Sequence, residues 1–215
     1  LIAADGAQLV AHAPVNVSAL DLDFFAFGAH KMLGPTGIGA LWTRRDVLAQ
    51  MPPFLGGGGM IADVSLDGFT PAHDISRFEA GTPPIAESAG FHAAVRYLDQ
   101  LGMEAVREHE VALTRDAIAR LDERFGSRVR LIGPANDVDR GGVLSLDVEG
   151  VHAHDVAQVL DQHGVCVRPG HHCAKPLMRR FGLIATARAS FGPYSLASDT
   201  DALLDGLDHA IELFA

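Results

Sequence analysis

At 215 residues, 48% hydrophobic and 20% charged, the sequence has ordinary globular composition and enough length for one large or two small cores, which excludes disordered and fibrous classes. Its formal net charge of −10 is spread along the chain without a basic run, so there is no footprint for nucleic acid and any anion must be held by a local site. Apolar stretches such as Phe24 to Gly28 fall far short of the roughly 20 residues that span a bilayer, and no charged-then-apolar leader opens the chain, so a soluble cytoplasmic protein is expected.

The opening LIAA before Asp5 reads as a buried strand, and with Leu1 rather than methionine the sequence is expected to begin inside a domain. The first third alternates short apolar runs, Leu1 to Ala4, Phe24 to Phe27 and Ile38 to Trp42, with glycine and proline turns, the pattern of buried strands in an α/β layer. Gly56 to Gly59 lacks the lysine of a phosphate loop and reads as a close-approach turn. From Ile85 the pattern changes. Val106, Leu113, Ala117, Leu121 and Phe125 recur at helical spacing within Met103 to Phe125, which predicts a long amphipathic helix. Val129 to Ile132 and Val143 to Val148 read as strands, Asp155 to His163 as a helix stopped by Gly164, and Val165 to Arg168 as another strand. Ser198 and Asp201 have capping-box spacing ahead of a last helix carrying Leu203, Leu204, Leu207 and Ile211. The boundary is expected near Pro83–Pro84, giving the end of one α/β domain (1–84) and a smaller α/β domain (85–215).

Asp5 ends a strand and is followed by Gly6, Ala7 and Gln8, which puts a carboxylate and an amide where α/β sheets bind ligands. A surface turn is the plainer alternative for that fragment alone. In FGAHKMLGPTGIG, Lys31 follows a strand, between His30 and a loop with Gly34, Pro35, Gly37 and Gly39. An inward, partly desolvated amine there would form a Schiff base, whereas a solvated surface lysine does so poorly; for that fragment alone a surface lysine is the plainer alternative. Arg168, Pro169, Gly170, His171, His172 and Cys173 place a thiol beside two imidazoles and an arginine, neighbours of the kind that favour a thiolate. An inert cysteine or a metal ligand are the competing readings, although H-H-C lacks the paired spacing of structural zinc sites. Cys166, between Val165 and Val167, reads as a small apolar filler. Arg188 in the alternating TARASF needs an anionic partner if buried, either a substrate carboxylate or a structural acid.

Taken in order, DGAQ at 5–8, HK at 30–31 with GPTGIG at 34–39, RFEAGTP at 77–83, RPGHHCAKPLM at 168–178 and ARASF at 187–191 closely resemble the SufS-type cysteine desulfurases of the class V aminotransferase family. The resemblance implies the type I fold of enzymes dependent on pyridoxal phosphate (aspartate-aminotransferase-like), with an incomplete large domain and a complete small α/β domain. It implies that Lys31 carries the cofactor and moves protons, that Asp5 keeps the pyridinium nitrogen protonated, and that Gln8 lies near the phenolic oxygen. His30 and, across a homodimer interface, Thr82 would contact the phosphate. Cys173 would take sulfur from L-cysteine as a persulfide, releasing alanine and feeding iron–sulfur cluster assembly, with Arg188 and Arg168 binding the substrate. His154, in VHAHDV, resembles the histidine that exchanges zinc ligation with the sulfur acceptor SufU; capping a helix is its plainer role.

Two departures accompany the match. Gly28 stands where the family commonly has a phosphate-binding serine, and the family's N-terminal half is absent, with its ring-stacking histidine and phosphate loop, so the chain is expected to hold the cofactor poorly alone. The rival enzymes are a selenocysteine lyase or a class V aminotransferase, the latter having no need of Cys173. The rival of another class is a non-catalytic zinc-binding scaffold using His152, His154, His171, His172 and Cys173, although no intrinsic metal site is expected.

Overall fold

The computed structural model describes residues 1–134 and 140–214 and divides into two compact units, Leu1–Met103 and Glu104–Ala215. In the first, β1 (Ala3–Asp5) runs parallel to β2 (Phe24–Gly28), and β3 (Gly39–Thr43) joins antiparallel on the other edge of β2. Helix α1 (Leu9–His12) follows β1, a single 3₁₀ turn (Ala29–Lys31) follows β2, and α2 (Arg45–Gln50) follows β3. A hairpin of β4 (Ile61–Val64) and β5 (Phe69–Pro71) leads through a 3₁₀ turn (Ile75–Phe78) to α3 (Ile85–Leu101).

The strand starts are fixed by the buried Asp23, whose carboxylate accepts the Ile2 amide at 2.6 Å and pairs with Arg44 at 3.1 Å. A buried carboxylate needs such partners to remain charged. Phe25 fills the space beside Gly6, where a Cβ would lie 2.0 Å from the ring, so DGAQ requires its glycine for packing. Leu98 of α3 packs with Ala11 and Met32, joined by Phe91 and Phe27. The expected boundary at Pro83–Pro84 therefore precedes a helix whose apolar face is satisfied within the first unit. In the glycine run the chain does approach another backbone closely: a Cβ at Gly57 would lie 3.4 Å from the Gly81 nitrogen, and the Gly58 carbonyl accepts the Gly81 amide at 2.8 Å; Gly59 adopts φ +82°, so backbone freedom is what that position uses.

The second unit holds a four-stranded antiparallel sheet in the order β6 (Val129–Ile132), β7 (Val143–Val148), β9 (Thr186–Ser190), β8 (Arg168–Gly170). Alternation along the strands sends Leu144, Leu146, Ala187 and Ala189 into one core with α4 (Met103–Phe125), α5 (Ala153–Gln162) and α7 (Ala197–Phe214). The residues at helical spacing in α4 and α7 are buried as the sequence pattern predicts. The opposite parity, Ser145, Arg188 and Thr186, faces away from that core, with α6 (Lys175–Arg180) leading from β8 to β9.

Three local expectations are corrected. The segment from Val165 does not enter the sheet until Arg168 pairs with Arg188; Gly164 at φ +74° ends α5, and the Val165 amide bonds back to Leu160. Val165 and Val167 pack against the core, which turns Cys166 out to solvent rather than making it an internal filler. The start of α7 is capped two residues earlier than Ser198 and Asp201 imply: Asp199 accepts the Leu196 amide at 2.9 Å, and Asp201 pairs with Arg120 on α4 at 2.5 Å.

Candidate active site

The first unit gathers its chemistry-bearing residues beyond the carboxyl ends of the parallel pair β1 and β2, the place where α/β sheets present ligands. Asp5 is the last residue of β1, and its carboxylate accepts the Ala7 amide at 2.8 Å. Gln8 is exposed at the start of α1. After β2 the chain is drawn into a tight turn in which the Met32 and Gly34 amides both bond to the Ala29 carbonyl. Buried Ala29 and Met32 anchor the turn, leaving His30 and Lys31 exposed. Gly34 is needed there, since a Cβ would lie 2.9 Å from that of Ala29. A side chain at Gly28 would meet Nδ1 of His30 at 3.3 Å, so the imidazole occupies the room a serine would take. Thr82 is exposed after Gly81, whose amide bonds to Gly58 at 2.8 Å. A carboxylate, an amide, an imidazole and an amine on this rim suit the ring nitrogen, phenolic oxygen, phosphate and aldehyde of pyridoxal phosphate.

The second unit gathers its set on the sheet face turned away from the helices. Arg168 and Arg188 are directly opposed across β8 and β9, an arrangement that destabilises a sheet unless an anion lies between the charges. Arg188 is half-buried, and its Nε is buried without a hydrogen-bond partner among the described residues. Beyond β8 the chain makes a turn in which His172 and Cys173 both take left-handed backbone angles, φ 52° and 60°. For non-glycine residues this costs about 1–2 kcal/mol each. The Cys173 amide donates to Nδ1 of His171 at 3.1 Å, and the Ala174 amide to the His171 carbonyl at 2.8 Å. Nε2 of His172 lies 3.1 Å from Oγ1 and 3.3 Å from the carbonyl oxygen of Thr186. Burial, and then the Arg188 charge, hold the His172 pKa below the ordinary imidazole value, against the hydrogen bond to Thr186, which favours the protonated form. The thiol of Cys173 is exposed.

His154 is exposed in the first turn of α5, its ring stacked on His152 at 5.3 Å between centroids. The helix cap is supplied by His152, which accepts the His154 amide at 3.3 Å. Sequence reasoning passed over Thr186, and it named His172 only as an acid–base neighbour or metal ligand. The opposition of Arg168 and Arg188 was hidden too, because it is a matter of strand register.

The family model for class-V aminotransferases matches residues 1–203. The chain belongs to the class-V aminotransferase family. Its relatives in that family include a probable cysteine desulfurase of Streptomyces coelicolor, 49% identical over 100% of this chain and 51% of the relative. A cysteine desulfurase of Haloferax volcanii is 49% identical over 98% of the chain and 49% of the relative. Among solved structures, the apo cysteine desulfurase of Thermococcus onnurineus matches with a TM-score of 0.93 and 40% identity, covering 98% of this chain and 52% of that one. The Escherichia coli cysteine desulfurase CsdA matches with a TM-score of 0.86 and 38% identity over 98% and 51%. The chain thus spans about half the length of the relatives it matches. These likenesses bear out the α/β fold and the family resemblance carried by the five sequence blocks.

Proposed function

We propose that the protein carrying these residues is a cytoplasmic cysteine desulfurase that converts L-cysteine to L-alanine and holds the sulfur as a persulfide on Cys173. The observation that carries this reading is the exposed Cys173 thiol, held in a left-handed turn beyond the strand pair that opposes Arg168 and Arg188. Nδ1 of His171 and Nε2 of His172 hold the turn through Cys173 and Thr186. In domain terms, 1–84 belongs to a large cofactor-binding domain and 85–215 carries the small domain, although α3 itself packs within the first unit.

Arg188 and Arg168 bind the substrate carboxylate, relieving their mutual repulsion and supplying a partner for the buried guanidinium. Pyridoxal phosphate, when bound, supplies an electron sink that weakens the bonds at the substrate's α-carbon. Asp5 holds the proton on the ring nitrogen, Gln8 bonds the phenolic oxygen, and His30 contacts the phosphate. The Nζ of Lys31 takes the α-proton and delivers protons to the departing alanine. The Cys173 thiolate attacks the substrate sulfur: a sulfur–sulfur bond forms, the carbon–sulfur bond breaks, and its electron pair leaves with the carbon that becomes alanine's methyl group. A homodimer, with Thr82 reaching the partner subunit's cofactor, and a sulfur acceptor such as SufU docking at His154 complete the proposal.

The test is the full-length protein reconstituted with pyridoxal phosphate and assayed for alanine from L-cysteine. Cys173→Ser is expected to abolish turnover while keeping the cofactor absorption band, and Lys31→Ala to abolish both. Full activity in either variant overturns the reading, and a 2-oxo acid that keeps the substrate sulfur, formed in place of alanine and unaffected by Cys173→Ser, would favour the aminotransferase.

A further inference from the structure

We infer that His172 and Thr186 are positioning residues for Cys173: the imidazole ties the left-handed turn to the strand that carries Arg188, so that the thiol and the arginine stand in one fixed relation. This rests on Cys173 being the nucleophile. Two consecutive non-glycine residues at φ 52° and 60° persist only where surrounding structure holds them there. The bonds from Cys173 and Ala174 to His171 are internal to the turn and move with it. The ring of His172 reaches out of the turn to β9, where Oγ1 of Thr186 lies 3.1 Å from Nε2.

Thr186 is a suitable anchor because it is fully buried, at 0% exposure, and is paired in the sheet with Gly170, the last residue of β8. It precedes Arg188 by two residues on one strand, so both side chains leave the same face. The Arg188 charge is the second contribution, after burial, to the lowered His172 pKa. One strand face therefore supports both the turn and the anion-binding guanidinium. The ring is not there for its own stability, since Nδ1 of His172 is buried with no hydrogen-bond partner among the described residues. An apolar side chain would fill that volume without leaving a nitrogen unsatisfied. With Nδ1 protonated, Nε2 accepts from the Thr186 hydroxyl; with Nε2 protonated, its one hydrogen is shared between that hydroxyl at 3.1 Å and the Thr186 carbonyl oxygen at 3.3 Å, so the hydroxyl is the partner that a substitution can remove.

The experiment compares Thr186→Val and Thr186→Ser in the full-length holoenzyme, with two readouts: steady-state kinetics for L-cysteine, and hydrogen exchange of peptides covering residues 171–175. Thr186→Val is expected to lower kcat about tenfold or more with KM little changed, because the arginines are intact while the nucleophile loses its orientation. Exchange at 171–175 should quicken about tenfold while peptides of β7 and α7 keep their rates. Thr186→Ser should restore both readouts. Wild-type kcat and exchange in Thr186→Val overturn the inference, as does faster exchange spread through β7 and α7, the signature of a merely structural threonine. His172→Gln serves as the second variant, with the same expected changes, should Thr186→Val fail to fold. Desulfuration surviving Cys173→Ser would instead sink the nucleophile reading, while the exchange data would still report on the anchor.

Discussion

Replacing Arg188 by methionine should stabilise the protein while destroying its activity. The half-buried guanidinium holds an Nε with no hydrogen-bond partner among the described residues, and an unsatisfied buried donor costs about 1–3 kcal/mol. Its direct cross-strand neighbour is Arg168, and like charges so placed cost roughly 0.2–1 kcal/mol, toward the low end here because Arg168 is exposed and screened. Methionine keeps an unbranched stem of similar reach, so little packing is lost. The net expectation is a gain of about 1–3 kcal/mol, read as a higher urea midpoint at unchanged slope. Two companion signals follow from the same geometry. A carboxylate or sulfate at about 100 times its dissociation constant should stabilise the wild type by about 2.7 kcal/mol and the variant far less. The His172 titration should move up toward the ordinary imidazole value, since the Arg188 charge helps hold it down. A loss of 1 kcal/mol or more in Arg188→Met, or an equal anion effect in both proteins, would show that the guanidinium has a structural partner and refute the reasoning.

In the first unit, Gly6→Ala would push a methyl to 2.0 Å from the ring of the buried Phe25. Overpacking of this kind costs about 1–3 kcal/mol. Adding Phe25→Leu should recover part of the loss in a double-mutant cycle, and strictly additive effects would disprove the contact. For pH, the depressed His172 pKa means that the unfolded chain takes up a proton that the folded chain resists. Stability present above about pH 6.5 is therefore lost as pH falls toward the lower folded value, then levels off. His172→Gln should unfold with a shallower pH dependence over that window in urea titrations; an unchanged slope would show that the ring is not held neutral by its surroundings.

What was legible in the sequence follows from how local each signal is. Helices α4 and α7 could be read because their buried residues recur at helical spacing, a property of one element alone. Around β1 and β2 the strands were legible because short apolar runs precede Asp5 and the turn that holds Lys31, but their expected burial was not met: Leu1, Ile2 and Leu41 are exposed. The position of β8 was not, because Val165 and Val167 alternate like a strand while the pairing begins only at Arg168, and which residues pair is settled by a partner strand some twenty positions away. The capping of α7 went to Asp199 rather than Asp201 because Asp201 is drawn to Arg120 across the helix packing. The turn at His172 and Cys173 was hidden for a different reason: no glycine marks it, and nothing local favours left-handed angles at a histidine followed by a cysteine.

These illegible features are also the costly ones. Opposed arginines, a bare Nε, a buried imidazole nitrogen without a partner and two strained backbone positions all fall around one face of one sheet. Elsewhere in the unit the described residues include a further unpartnered buried group, Oγ1 of Thr200 on α7, but no further non-glycine residue at positive φ, and the core of Leu144, Leu146, Leu204 and Leu207 is apolar. Such costs persist where function requires them. The clustering of unpartnered polar groups and backbone strain around Cys173 and Arg188 therefore supports the proposed site independently of the five sequence blocks, and it does so through residues, Thr186 above all, that those blocks leave without a role.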